Sequence, residues 1–252
     1  MTDVLVCIKR VPDVSGEVLL TDDGLAVDAR HVGFTVSPHE ECAVEIATQI
    51  AESTGGTATV LTVGPAESVE QLRNALAVGC SSAILVEADA DGYGPADVAR
   101  VIADVIGSRS FDLVLLGNDA ADTGDFQVPV RLGYALDRPV LTGISRCSVS
   151  GDRLTATGDG PDGTEMFEVP LPAVVAVMEG GVSPRYPSIT GRMKAKKAPI
   201  ETLQPGIEPR GNGRVRLKVP PPRQGTVQIL GTGAAAAPAV VDLLFELGVV
   251  SK

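Results

Sequence analysis

The sequence predicts an α/β fold, a doubly wound, mostly parallel sheet with a C-terminal antiparallel addition and an extended arm. Three observations predict it. Short strand-like runs recur at 4–8, 57–62, 82–86, 113–116 and 173–177, too short for helices, and 4–8 and 113–116 are continuously apolar as in a strand covered on both faces. Segments with apolar residues at helical spacing separate most of them, and strand–helix alternation this regular means parallel strands covered on both faces. After Pro139 the pattern changes to short strands joined by Gly-Asp turns, and from about Leu203 Pro and Gly are frequent and regular pattern is weak. We therefore expect an α/β domain over residues 1–203 and an extended arm over 204–252 that ends in a short helix.

Each element follows from local chemistry. Val4-Leu-Val-Cys-Ile8 is the first strand, and residues 14–36 are a long excursion turning at Asp22-Asp23-Gly24, with Thr21, Leu25 and Val27 marking a small hairpin. Ser37 is a good N-cap for a helix through about Glu52, with Pro38 at its first position and Glu40 three residues after the Ser. Cys42, Val44, Ile46, Ala47, Ile50 and Ala51 give that helix a broad apolar face, and Gly55-Gly56 ends it. The second strand is 57–62. Gly64-Pro65 turns into a helix over about 68–77 that carries Val69, Leu72 and Leu76 and closes at Gly79. The third strand is 82–86, and a helix over 95–106 turns Val98, Val101, Ile102 and Val105 inward. Segments 144–149, 153–157 and 164–169 read as an antiparallel addition at the sheet edge, 173–177 as a further buried strand, and 238–247 as the last helix. Asp13 is read as a turn residue, and Glu45 and Arg73 as exposed helix residues.

Composition excludes several functions. A net charge of −11 argues against a nucleic-acid binder. The four cysteines, Cys7, Cys42, Cys80 and Cys147, are widely spaced in apolar contexts, without a C-x-x-C pair, and read as buried thiols in a reducing, cytoplasmic setting. With only His31 and His39 to join them, no metal site is expected. The first strand begins almost at once without a long apolar run, so no secretory signal is expected, and the apolar stretch near Pro238 is too short to span a bilayer.

Residues 112–137 are the candidate site. A buried strand (113–116), a small-residue loop and a helix carrying Val128, Leu132 and Leu136 follow one another. Asp122 or Thr123 is placed to cap that helix, and Gly124 to let backbone approach a ligand. Such a strand–loop–helix points N–H groups at an anion above the strand's carboxyl end; an ordinary βα turn is the bland alternative.

Taken in order, several stretches make the chain similar to the β subunits of electron transfer flavoproteins over essentially its full length. They are Lys9-Arg-Val-Pro-Asp13, Ala43-Val44-Glu45, Thr62-Val-Gly64-Pro65, the loop from Gly117 to Gln127, and above all Pro184-Arg185-Tyr186-Pro187-Ser188 through Met193-Lys194-Ala195-Lys196-Lys197. The resemblance implies the adenine nucleotide α-hydrolase-like form of the doubly wound fold. It also implies a heterodimer in which an α subunit holds the electron-carrying FAD and this chain holds a structural AMP. The chain itself offers no redox cysteine pair and no complete G-x-G-x-x-G, so electrons must reside on a cofactor it helps to enclose, and no catalytic residue is expected. Adenylating enzymes of the same fold carry a Ser-Gly-Gly-x-Asp-Ser loop after the first strand, and this chain has none.

Carried over by resemblance, the AMP contacts fall on Cys7, on Ser37, Pro38, His39 and Glu40, on Val63, and on Gly117, Asn118, Asp119, Ala120, Ala121, Asp122, Thr123, Gly124, Asp125, Phe126, Gln127 and Val128. Thr123, Gly124 and nearby N–H groups are the expected phosphate donors. Ser37 stands where the family often has Asn or Asp, and Asp119 where it often has Gln or Glu. The 184–197 stretch resembles the family's recognition loop, in which Ile189 takes the apolar anchor position and Met193 lies four residues on. Arg185, Arg192, Lys194, Lys196 and Lys197 would rim that anchor toward an acidic partner. The resemblance implies that dehydrogenases, such as acyl-CoA dehydrogenases of fatty acid oxidation, donate electrons and a quinone oxidoreductase or another acceptor receives them. Two alternatives stand beside this reading: a flavin-bifurcating complex with a second FAD in place of AMP, and a stand-alone adenine-nucleotide-binding stress module.

Overall fold

The structure is a computed structural model that describes all residues except 14–17, 29, 31, 90–91, 212, 214, 222–226 and 251–252. Parts of the expected excursion, including His31, and parts of the expected arm therefore lie outside the described residues. The chain divides into two compact units, Met1–Leu217 and Lys218–Lys252.

In the first unit the elements run β1 (Val4–Cys7), β2 (Val11–Pro12), β3 (Phe34–Thr35), α1 (Pro38–Thr54), β4 (Ala58–Gly64), α2 (Val69–Val78), β5 (Ser82–Glu87), α3 (Pro95–Gly107), β6 (Leu113–Gly117) and α4 (Val128–Leu136). They continue with β7 (Val140–Ser150), β8 (Arg153–Gly160), β9 (Gly163–Pro170), β10 (Ala173–Val177), α5 (Ile189–Lys197) and β11 (Glu201–Leu203). Among the described residues, nine strands form one sheet in the order β11-β5-β4-β1-β6-β10-β7-β8-β9. Pairing is parallel from β11 to β7 and antiparallel from β7 through β9. The doubly wound sheet with an antiparallel edge is thus as the apolar runs predicted.

Alternation along the central strands divides the core in two. Val4 and Val6 of β1, Val60 of β4 and Leu113 and Leu115 of β6 pack with α1 and α2 on one face. Leu5, Cys7, Leu61, Val114 and Leu116 pack with α3 and with Leu132 of α4 on the other. Both faces are dry, which is why these strands read as solid apolar runs. The Ser37 hydroxyl accepts the Glu40 N–H while the Glu40 side chain accepts the Ser37 N–H, completing the expected capping box, and Gly55 closes α1 at φ 70°.

Two pairings escaped the sequence pattern. β7 begins at Val140, earlier than expected, because its first residues pair in parallel with β10 before the strand continues into the antiparallel edge. β11 was missed altogether: its three residues carry no apolar pattern and gain strand geometry by pairing with the open edge of β5. The hairpin expected around Asp22-Asp23-Gly24 is present as a bridge between Leu20 and Val27.

The second unit carries α6 (Ala237–Glu246), one residue ahead of the expected start. Among the described residues no helix is long and apolar enough to cross a membrane.

Candidate functional site

A cavity of about 580 Å³ opens at the carboxyl ends of β1, β4 and β6. Strand order reverses around β1, so this is the crevice where doubly wound sheets bind ligands. Leu61, Val63, Val98, Ile102 and Leu116 form its apolar walls, and Lys9, Arg10, Asp119, Asp122 and Asp125 bring charge to it.

Of the residues expected around a cofactor, Cys7, Glu40, Val63, Gly117, Asp119, Ala120, Asp122, Thr123, Asp125 and Val128 line the cavity. The others stand off it. Ser37 is buried in its capping role. Pro38 is the exposed first residue of α1. His39 places Nδ1 3.3 Å from the Val177 carbonyl and Nε2 3.2 Å from Asp119, which holds the Asp119 loop against α1. Asn118 Oδ1 accepts the Gly143 N–H at 2.8 Å, tying the loop to β7. Gln127 accepts two hydrogen bonds from Arg131. Ala121, Gly124 and Phe126 face solvent.

Two expectations for this loop are corrected. Neither Asp122 nor Thr123 caps α4: its N-cap is Gln127, without a side-chain cap bond. Asp122 instead pairs with Lys9 Nζ at 2.7 Å, joining the loops after β1 and β6. The N–H groups of Thr123 and Gly124 both donate to the Ala120 carbonyl, closing a turn rather than facing a phosphate.

Sequence reasoning overlooked Lys9 and Arg10, although they directly follow β1 at the ligand end of the sheet, a signal sufficient to find them. Phe34, on β3, and Tyr93 and Leu217, on loops, also line the cavity but come from segments remote in sequence that nothing local marks. Phe34 holds the Arg10 guanidinium 3.3 Å from its ring centroid, and Arg10 Nε is buried without a hydrogen-bond partner among the described residues. A guanidinium so oriented suits an anion. Apolar walls for a flat ring, cations for an anionic group and carboxylates for hydroxyls together match the chemistry of a nucleotide.

Glu40 sits where α1 meets the cavity. Gly117 permits that approach, since a Cβ there would come 2.8 Å from Glu40 Cγ. Burial pushes the Glu40 carboxyl up to about 8, against the opposing pull of the Ser37 N–H and hydroxyl, the Lys9 N–H and the Lys9 charge. Burial, with Glu40 beside it, pushes the Cys7 thiol far up, and burial pushes Cys80 and Cys147 to about 12. These thiols are unreactive at neutral pH. Cys147 is only half-buried, a correction to the expectation of four buried thiols.

The 184–197 stretch lies away from the cavity, beside the end of α2. Ser188 caps α5 by accepting the Gly191 N–H at 3.0 Å. Ile189 is 81% exposed and Met193 62%, so the anchor position does not pack inward. Lys194 and Lys197 are exposed on the same helix. Arg185 is engaged within the chain, with Nε 2.9 Å from Glu45 and Nη1 2.7 Å from Glu52. Glu45 and Arg73 are therefore not exposed helix residues as expected. Glu45 is 5% exposed and holds Arg185, and Arg73 reaches the carbonyls of Ala195 and Ala198.

Fold and cavity together define an α/β protein with a cavity at the switch point of a doubly wound sheet. Comparison with known proteins narrows the class. Residues 24–207 match the electron transfer flavoprotein domain. The chain is 33% identical over 252 residues to the electron transfer flavoprotein subunit beta of Bacillus subtilis, covering 96% of this chain and 97% of that protein. It is 34% identical over 231 residues to the same subunit of Syntrophomonas wolfei, covering 90% and 89%. With the human subunit identity is 36% over 207 residues, covering 81% of each chain. The chain belongs to the electron transfer flavoprotein β-subunit family.

Proposed function

We propose that this chain is the β subunit of a heterodimeric electron carrier. It holds AMP structurally in the switch-point cavity and helps to enclose an FAD held mainly by an α subunit. The cavity carries this reading: its apolar walls suit adenine, and Lys9 and Arg10 suit a phosphate. Asp119, Asp122 and Asp125 are acceptors for ribose hydroxyls. The FAD supplies the redox chemistry, and this chain's residues bind and position. Ile189 and Met193 meet flavin dehydrogenases such as acyl-CoA dehydrogenases, Lys194 and Lys197 steer the encounter, and a quinone oxidoreductase or other acceptor takes the electrons onward. The arm over 204–252, and within it the unit Lys218–Lys252, engages the α subunit.

Co-expression with the α subunit, followed by release and quantification of bound nucleotides, tests this. One FAD and one AMP per heterodimer is expected. Two FADs without AMP would move the assignment to a flavin-bifurcating complex. An adenine nucleotide on a chain that recruits neither partner nor flavin would leave a nucleotide-sensing module.

A further inference from the structure

We propose that Arg73 and Arg185 are positioning residues that lock α5 onto α1 and α2, so that Ile189 and Met193 stand pre-oriented for a partner. This rests on the docking role proposed above for 184–197.

By itself α5 is a poor helix. It has nine residues, including Thr190 and Gly191, and isolated helices of that length are marginal in water. Its order must come from what it touches. The inner face is built from small residues at i, i+4 and i+7: Gly191, Ala195 and Ala198. A Cβ on Gly191 would come 2.4 Å from the Ala77 carbonyl oxygen, and Ala195 is 3% exposed, so α5 lies directly against the end of α2. That seating turns Ile189 and Met193 outward.

The two arginines fasten the ends. Before the helix, the Arg185 N–H donates to Glu45 at 3.1 Å. Its guanidinium donates to Glu45 at 2.9 and 3.1 Å and to Glu52 at 2.7 and 3.2 Å. Glu45 and Glu52 lie two turns apart on α1, and Gln49 between them donates to Glu45 at 2.7 Å and steadies it. At the other end Arg73, from α2, donates to the carbonyls of Ala195 and Ala198, where the last turn has orphan acceptors and the helix dipole favours a cation. Arg185 thus has its charge met inside the chain, and the exposed Arg192, Lys194, Lys196 and Lys197 are left to face a partner. Positioning and steering fall to different residues. A helix ordered before binding gives up less freedom on docking, so loosening it weakens the complex without changing long-range attraction.

The test uses the complete heterodimer as acceptor for an acyl-CoA dehydrogenase from the same organism, with KM and kcat measured across ionic strength. Arg73→Gln and Arg185→Gln should each raise KM by about tenfold with kcat retained and the wild-type salt slope, and Arg185→Lys should recover part of the loss. Glu52→Gln, at an exposed position that does not threaten folding, should raise KM less but in the same direction. Lys194→Gln with Lys197→Gln should flatten the salt slope instead. A wild-type KM in both arginine variants and in Glu52→Gln, while Ile189→Asp raises KM, overturns positioning and leaves docking standing. A wild-type KM in Ile189→Asp overturns the docking role and the positioning with it. A salt slope flattened by Arg185→Gln assigns Arg185 to the partner's charge and overturns its positioning role.

Discussion

Glu40 serves fold and site at once. Its carboxyl completes the cap of α1, borders the cavity and sits beside Cys7, and burial raises it to about 8. Its ordinary value is 4.5, so between the two the folded chain holds a proton that the unfolded chain releases. That contribution to stability is complete below about 4.5 and fades as pH rises through 8. Glu40→Gln keeps a capping-box side chain and removes the titration. The wild-type chain should therefore lose unfolding temperature relative to the variant from pH 5 to pH 9. Parallel melting curves across that range would sink the idea. Asp97 gives a second residue-scale prediction. It is 1% exposed, and its Oδ2 accepts the N–H groups of Gly94, Arg210 and Gly211, fastening the returning chain beside the cavity. Asp97→Ala strands these donors, with an expected loss of about 1–3 kcal/mol in denaturant unfolding and faster release of bound nucleotide. Unchanged release would mean that the fastening does not guard the cavity.

Close approach of whole elements depends on residues without side chains. At Gly133 a Cβ would come 1.8 Å from Val140 Cγ2, so α4 rests against the first residue of β7. Gly133→Ala must push the helix off the sheet, and overpacking of this kind destabilises by about 1–3 kcal/mol, read as a shift in the urea midpoint. A variant as stable as wild type would show that α4 can slide without loss. The same helix begins after the loop that borders the cavity, so its displacement should also lower nucleotide content. The β7–β9 edge is a separate matter: Ile144 and Leu154 anchor it to the core, and Met166 on its last strand is exposed.

For the molecule as a whole, every fully buried apolar residue among the described residues lies within 4–195. The unit Lys218–Lys252 has exposed Val240, Val241, Leu247 and Val249 and buries nothing fully among its described residues. A chain ending at Leu217 should therefore unfold cooperatively and retain nucleotide, yet fail to co-purify with an α subunit. Circular dichroism melts and gel filtration of the co-expressed pair read both halves of that expectation. A truncated chain that still assembles would remove the role given to the arm. On a protein of net charge −11, Lys194, Lys196 and Lys197 make one helix end locally basic, the place where the proposed steering would act.

What could be read in the sequence was whatever neighbouring residues determine among themselves. The solid runs of β1, β4, β5, β6 and β10, the Ser37–Glu40 cap and the closing Gly55 and Gly79 all express chemistry within a few residues, and the fold class followed from their alternation. Cys7 and Val63 came only through the family resemblance, whereas the 117–128 loop was also marked by its strand–loop–helix pattern at a strand's carboxyl end; Cys7, Val63 and part of that loop line one cavity. The remainder depended on contacts distant in sequence. Arg185 and Glu45 are 140 positions apart, so nothing near Glu45 indicates that it is buried against a guanidinium. Lys9 meets Asp122 across 113 positions, a pairing nothing near Asp122 indicates. The polar residues of β11 become a strand only because β5 has an unpaired edge. The tertiary structure decided these points, because burial, pairing and the occupancy of an N–H group depend on which distant segments the fold brings together.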